Sequence, residues 1–92
     1  MLDKVKLVLR IKHNAFDEEI QDLIDSARQD LILSGVSSDL AEAESDIDPL
    51  IERAITVYCK AHFGYDNPDA DRFNHSYQML KQHLTLAGDY HA

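Results

Sequence analysis

The sequence is poor in residues that break helices and in residues that staple small folds. Three glycines, two prolines, one cysteine and no tryptophan occur in 92 residues. A turn-rich sandwich needs a break at roughly every 8–12 residues, so glycine and proline this scarce disfavour that class. The glycines stand at 35, 64 and 88, too far apart to build a glycine-rich phosphate loop. Cys59 is alone, so no intrachain disulfide forms; this fits a reducing compartment and leaves the fold to packing. No apolar run approaches the roughly 20 residues of a membrane span, and the amino terminus lacks the sustained apolar core of a signal peptide. Positive charge is scarce too: 9 Lys and Arg against 17 Asp and Glu give a formal net charge of -8. A surface of that sign repels nucleic acid at long range. The expectation is a soluble domain made inside a cell.

What is present is patterned. The length fits one small domain over residues 1–92. A chain of this size buries about 60–65% of its unfolded surface, so its core is marginal and a partner surface would help. Lys4, Lys6, Arg10 and Lys12 place four of the nine basic groups in the first twelve residues. Asp17, Glu18, Glu19, Asp22 and Asp25 follow as an acidic run.

Hydrophobic spacing predicts four main helices. The first covers residues 2–11, with Leu2, Val5, Val8 and Leu9 on one side and Leu7 and Ile11 off that stripe. The second starts between 15 and 18, capped by Asn14 or Asp17, and runs to Ser34 with Ile20, Leu23, Ile24, Ala27 and Leu31 inward. Its early acids complement the helix dipole without any ligand, and Gly35 stops it. Residues 35–48 read mainly as a solvated connection, with one helical turn allowed around Leu40–Ala43. Asp48-Pro49 is a strong start signal for a third helix over 49–63, whose wide apolar face makes it the central element.

The fourth helix is predicted from Pro68 to Ala87 with Ala70, Phe73, Tyr77, Leu80, Leu84 and Ala87 inward. Before it, Gly64 supplies a left-handed helix end, Asn67 a cap and Pro68 a first helical position. The fold class is therefore all-α: a small orthogonal or irregular bundle of four main helices, with a long connection between the second and third.

Reaction chemistry finds little footing. Histidines at 13, 62, 75, 83 and 91 make no H-E-x-x-H pair. Asp71 and His75 share a helix face, but solvated or capping histidines are the simpler reading, with His62 partly buried beside Tyr58. Cys59 and His62 lie three apart mid-helix, where backbone N–H groups are already used and no oxyanion site forms. The carboxylates gather at helix starts and in the connection, without the apolar surroundings that raise a pKa for acid–base work. A helix-turn-helix reading fails on the acidic start of the fourth helix. No enzyme, cofactor or metal is expected. Apolar groups off the core stripes are more telling: Ile32, Leu33, Met79, Leu86 and Tyr90 are candidate assembly residues. The basic Lys4, Lys6 and Arg10 join them as an edge that could meet a neighbour's acidic edge.

Four stretches together resemble a known family. They are Val5-Lys6-Leu7-Val8-Leu9-Arg10-Ile11; Phe16-Asp17-Glu18-Glu19-Ile20 with Leu23-Ile24-Asp25-Ser26-Ala27; Asp48-Pro49-Leu50-Ile51-Glu52-Arg53-Ala54-Ile55 with Val57-Tyr58-Cys59-Lys60-Ala61-His62-Phe63-Gly64-Tyr65; and Asn67-Pro68 with Arg72-Phe73, Tyr77, Leu80 and Leu84. In this order and spacing the chain resembles the phage head-tail connector adaptor family, small helical proteins often described as DNA-packaging proteins. The resemblance implies a non-enzymatic structural subunit of a phage or prophage virion, made in the bacterial host cytoplasm and placed at the head–tail junction. It implies self-association into a ring of about twelve copies, contact with a portal protein and a tail-side connector protein, and no membrane role. DNA would pass through the channel without specific binding, and an acidic subunit suits sliding rather than sticking. The alternative is a small protein–protein adaptor or regulator that forms no ring.

Overall fold

The computed structural model describes residues 1–64 and 67–91. It contains five α-helices, α1 (Leu2–Leu9), α2 (Asp17–Leu33), α3 (Ser38–Ala41), α4 (Pro49–His62) and α5 (Ala70–Leu86), followed by a 3₁₀ turn over Gly88–Tyr90. No strand occurs among the described residues. The four long helices are those the spacing predicts, and α3 is the single turn allowed around Leu40.

α4 is the central element. Ile51, Ala54, Ile55 and Cys59 are completely buried, against Ile20, Ile24, Ala27 and Leu31 of α2, Val5 of α1 and Tyr77 and Leu84 of α5 in one apolar cluster. Its start is held by Asp48, whose carboxylate accepts from the N–H groups of Leu50 at 2.9 Å and Ile51 at 3.4 Å, with Pro49 in the first turn. This is the cap that Asp48-Pro49 foretells.

Two helices end in the same closure. Gly35, at φ 112°, follows α2; its N–H bonds to the Ile32 carbonyl at 3.0 Å, and the Val36 N–H bonds to the Leu31 carbonyl at 3.0 Å. Leu31 and Val36 are both fully buried, which completes a Schellman ending with its apolar contact. α1 closes identically, Arg10 to Leu7 at 3.1 Å and Ile11 to Lys6 at 2.9 Å, but with an arginine at φ 62° where glycine is usual.

The structure corrects several expectations. Residues 35–48 are not a solvated link. Val36 and Ala41 are buried in the core, and Leu40 and Ile47 pack against it. The tail fastens this segment: the Ser37 N–H donates to the Tyr90 carbonyl at 2.8 Å, Val36 and His91 form a β-bridge, and the Tyr90 hydroxyl donates to the Asp48 carboxylate at 3.0–3.1 Å. These are pairings between distant parts of the chain, which local spacing does not reveal.

Neither Asn14 nor Asp17 caps α2; Phe16 occupies that position with no side-chain bond. Asp17 is instead drawn 2.8 Å from Lys6. α5 begins at Ala70, two residues later than predicted, with Asp69 at its cap. Pro68 therefore stands in the preceding turn rather than at the first helical position. His62 is exposed and lies 4.3 Å, ring to ring, from Tyr58.

Candidate docking surface

The turn between α4 and α5 is built from the residues singled out for it. Phe63 ends α4 in extended backbone and Gly64 follows at φ 86°. Asn67 works as a two-way clip: its side-chain amide donates to the Lys60 carbonyl at 2.6 Å and its side-chain oxygen accepts from the Asp69 N–H at 3.1 Å. It thus ties the end of α4 to the approach of α5, a different task from capping α5 itself. Tyr65, which carried part of the resemblance, lies outside the described residues.

Holding the two helices this way leaves an open groove of about 450 Å³ between them, closed at one side by α1. Val57, Phe73, Met79 and Leu80 supply apolar surface, with Val8 from α1. Arg53, Thr56, Lys60, His75 and Ser76 are the other described lining residues, and no carboxylate is among the described ones. Lys60 Nζ stands 4.9 Å from the centre of the Phe73 ring, and the Arg72 guanidinium 5.1 Å. Such stacking spreads cationic groups over an aromatic face. Met79 is 57% exposed.

Polar reinforcement comes from α2, which bonds to α5 and to the segment before α4. Asp30 of α2 accepts from the Tyr77 hydroxyl at 2.6 Å and the Lys81 ammonium at 3.0 Å. Partial burial pushes the Asp30 pKa up, but bonds from Tyr77 and Lys81, with attraction from Lys81 and His62, outweigh it and hold the carboxyl below its ordinary value. Burial, then the bond to Asp30, pushes the Tyr77 phenol strongly up. Arg28, nearly buried, reaches Glu44 at 3.1 Å and the Ala43 carbonyl at 3.3 Å. Its side-chain Nε has no partner among the described residues. Sequence reasoning missed both groups. The signal for Arg28 was a lone cation beside Ala27 and Leu31 on the inward face. Asp30 offered none, since its partners lie 47 and 51 residues away.

The candidate assembly residues divide. Leu33, Met79 and Leu86 are exposed, Leu33 at 84% and Leu86 at 76%. Ile32 packs partly against the core, and Tyr90 is engaged with Asp48. Lys4 pairs with Glu52 at 3.1 Å, and Lys6 reaches Asp17 and the Asn14 side chain, both at 2.8 Å. Arg10 is exposed and has no ion pair among the described residues. Cys59 is buried and its thiol is pushed up to about 12 by desolvation, so it is not a ready nucleophile.

These features define a small all-helical domain whose conspicuous surface is an open groove, partly apolar and rimmed by cations. The family model of the phage connector proteins matches residues 1–91, and the chain belongs to that family of structural proteins. Comparisons with curated proteins and with solved structures give no match. No helix among the described residues is long and apolar enough to cross a membrane.

Proposed function

We propose that this protein is a non-enzymatic subunit of a phage or prophage head–tail connector, forming a ring between portal and tail components around the DNA channel. The observation that carries the reading is the family match over residues 1–91. The surface chemistry supports it. Leu33, Met79 and Leu86 are exposed at sites with no core duty, as groups that a neighbour covers would be. The formal net charge of -8 suits a wall past which DNA slides. A ring of about twelve copies would repeat one contact around a closed rotation. The subunit is made in the host cytoplasm and ends at the head–tail junction of the virion.

Negative-stain imaging and native mass measurement test this, on concentrated protein alone and mixed with the portal protein. Rings, or a subunit layer on the portal, are the expected result. Absence of both across salt conditions would overturn the reading.

A further inference from the structure

The polarity of the contact between copies can be read from charge. In a chain with 17 acidic against 9 basic residues, the charged lining of the α4–α5 groove among the described residues is Arg53, Lys60 and His75, with no carboxylate. Arg53, Lys60 and His75 form no ion pair among the described residues. Its remaining lining includes apolar Val57, Met79 and Leu80. A partner that fits must be acidic and must bring at least one apolar group.

The outward face of α2 has that composition. At 100° per residue, Glu18, Asp22, Asp25 and Leu33 fall within about 80° of arc. All four are exposed, while Ile20, Ala27 and Leu31 are buried on the other side of the helix. Glu18 and Asp22 have no ion-pair partner among the described residues. Leu33 is the most exposed large hydrophobic residue among the described residues. Along the axis, Leu33 lies about 12 Å from Asp25, and Arg53 about 10 Å from Lys60, so one helix can present both kinds of group to the other. The basic groups of α1 are less available, since Lys4 and Lys6 are engaged within the subunit.

We propose that copies of this chain associate head to tail, the acidic outer stripe of α2 and its Leu33 seating in the α4–α5 groove of the next copy. The inference rests on the ring reading and names its contact. The two surfaces are different parts of one subunit, so the contact is heterologous, the type that closes into rings when the rotation per copy permits. Charge complementarity then sets direction and suppresses the reverse pairing of two acidic faces.

The test is a charge swap followed by sedimentation at low salt. Arg53→Glu with Lys60→Glu reverses the groove; Asp22→Lys with Asp25→Lys reverses the part of the stripe nearest Leu33. Each double variant alone is expected to associate roughly tenfold or more weakly than wild type, and an equimolar mixture to recover association, because every contact is again between opposite charges. Circular dichroism confirms that each variant is folded. Variants that assemble as wild type does, or a folded mixture that stays dissociated, overturn the contact.

A second measurement does not depend on charge. Leu33→Cys with Met79→Cys in one chain should give a ladder of covalent multimers on oxidation, while either single variant should not; Cys59 is buried and stays out of the reaction. Monomer alone, or dimer alone, overturns the proposal. So does loss of portal binding on groove reversal with copy-to-copy association intact, which would assign the groove to the portal. Wild-type rings indifferent to every substitution remove this contact and leave the ring reading standing. Wild type that neither self-associates nor binds portal removes both.

Discussion

α4 and α5 lie side by side and are held by different means. α4 buries Ile51, Ala54, Ile55, Thr56 and Cys59 within fourteen residues. α5 buries Tyr77 and Leu84 within seventeen. The first is placed by apolar contact with several helices, which is non-directional and strong in sum. The second is placed by two apolar anchors, the bonds of Tyr77 and Lys81 to Asp30, and the Asn67 clip at its approach. Economy of anchoring is what leaves Phe73, Met79 and Leu86 at or near the surface. α4 reaches the groove through Arg53, Val57 and Lys60, which lie off its buried face.

The contrast can be broken most directly in the core. Ile55→Ala should cost about 3 kcal/mol, the transfer loss plus the cavity left in a packed site. Leu86→Ala should stay within about 0.5 kcal/mol, since its side chain is exposed. Denaturant unfolding measures both. Equal losses would mean that α5 is packed as tightly as α4.

The polar clamp comes next. Tyr77→Phe removes the 2.6 Å bond to Asp30 and should cost about 1–2 kcal/mol. Asp30 has a folded pKa below its ordinary 3.8, so its contribution is complete above that value and is lost as pH falls through the lower folded one. Stability of the wild type should therefore decline in acid, and the Tyr77→Phe variant should show a shallower decline over the same window. Parallel curves would remove Tyr77 as a cause of the shift.

The turn between the two helices gives smaller effects. Gly64→Val should destabilise by about 1 kcal/mol or more, because φ 86° strains a β-branched residue. Among the described residues a Cβ added there meets no atom within 4 Å, so the cost lies in the backbone. Gly64→Asn should recover much of it, asparagine tolerating the left-handed region. Smallest is Pro68→Ala, at about 0.3 kcal/mol, since proline in this turn chiefly restricts the unfolded chain. A ranking with Pro68 above Gly64 would overturn this account of the turn.

Much of the architecture was legible locally. The apolar spacing of α2 and α4 marks their inward faces, Asp48-Pro49 marks a start and Gly35 a stop, and each signal is complete within a few residues. The reading of 35–48 failed because Ser, Asp and Glu dominate its composition, whereas Val36 and Ala41 decide its position. The start of α5 slipped because asparagine before proline fits both a helix cap and a turn clip, and the Lys60 carbonyl that settles the choice belongs to another helix. Lys4 and Lys6 looked equally free in sequence. Their acidic partners, Glu52 and Asp17, come into range through the docking of α1 on α2 and α4.

By itself the sequence determined the helical class, the order of the long helices, most of their ends and the family. These depend on periodicity and on side chains acting on their own backbone, interactions that span four or five residues. The tertiary structure alone decided how the tail pins the connection, that Asp30 holds Tyr77 and Lys81, and which cations along the α4–α5 groove have no ion pair among the described residues. Those are outcomes of proximity between residues far apart in the chain. Proximity of that kind exists once the apolar faces have packed, so no local pattern records it.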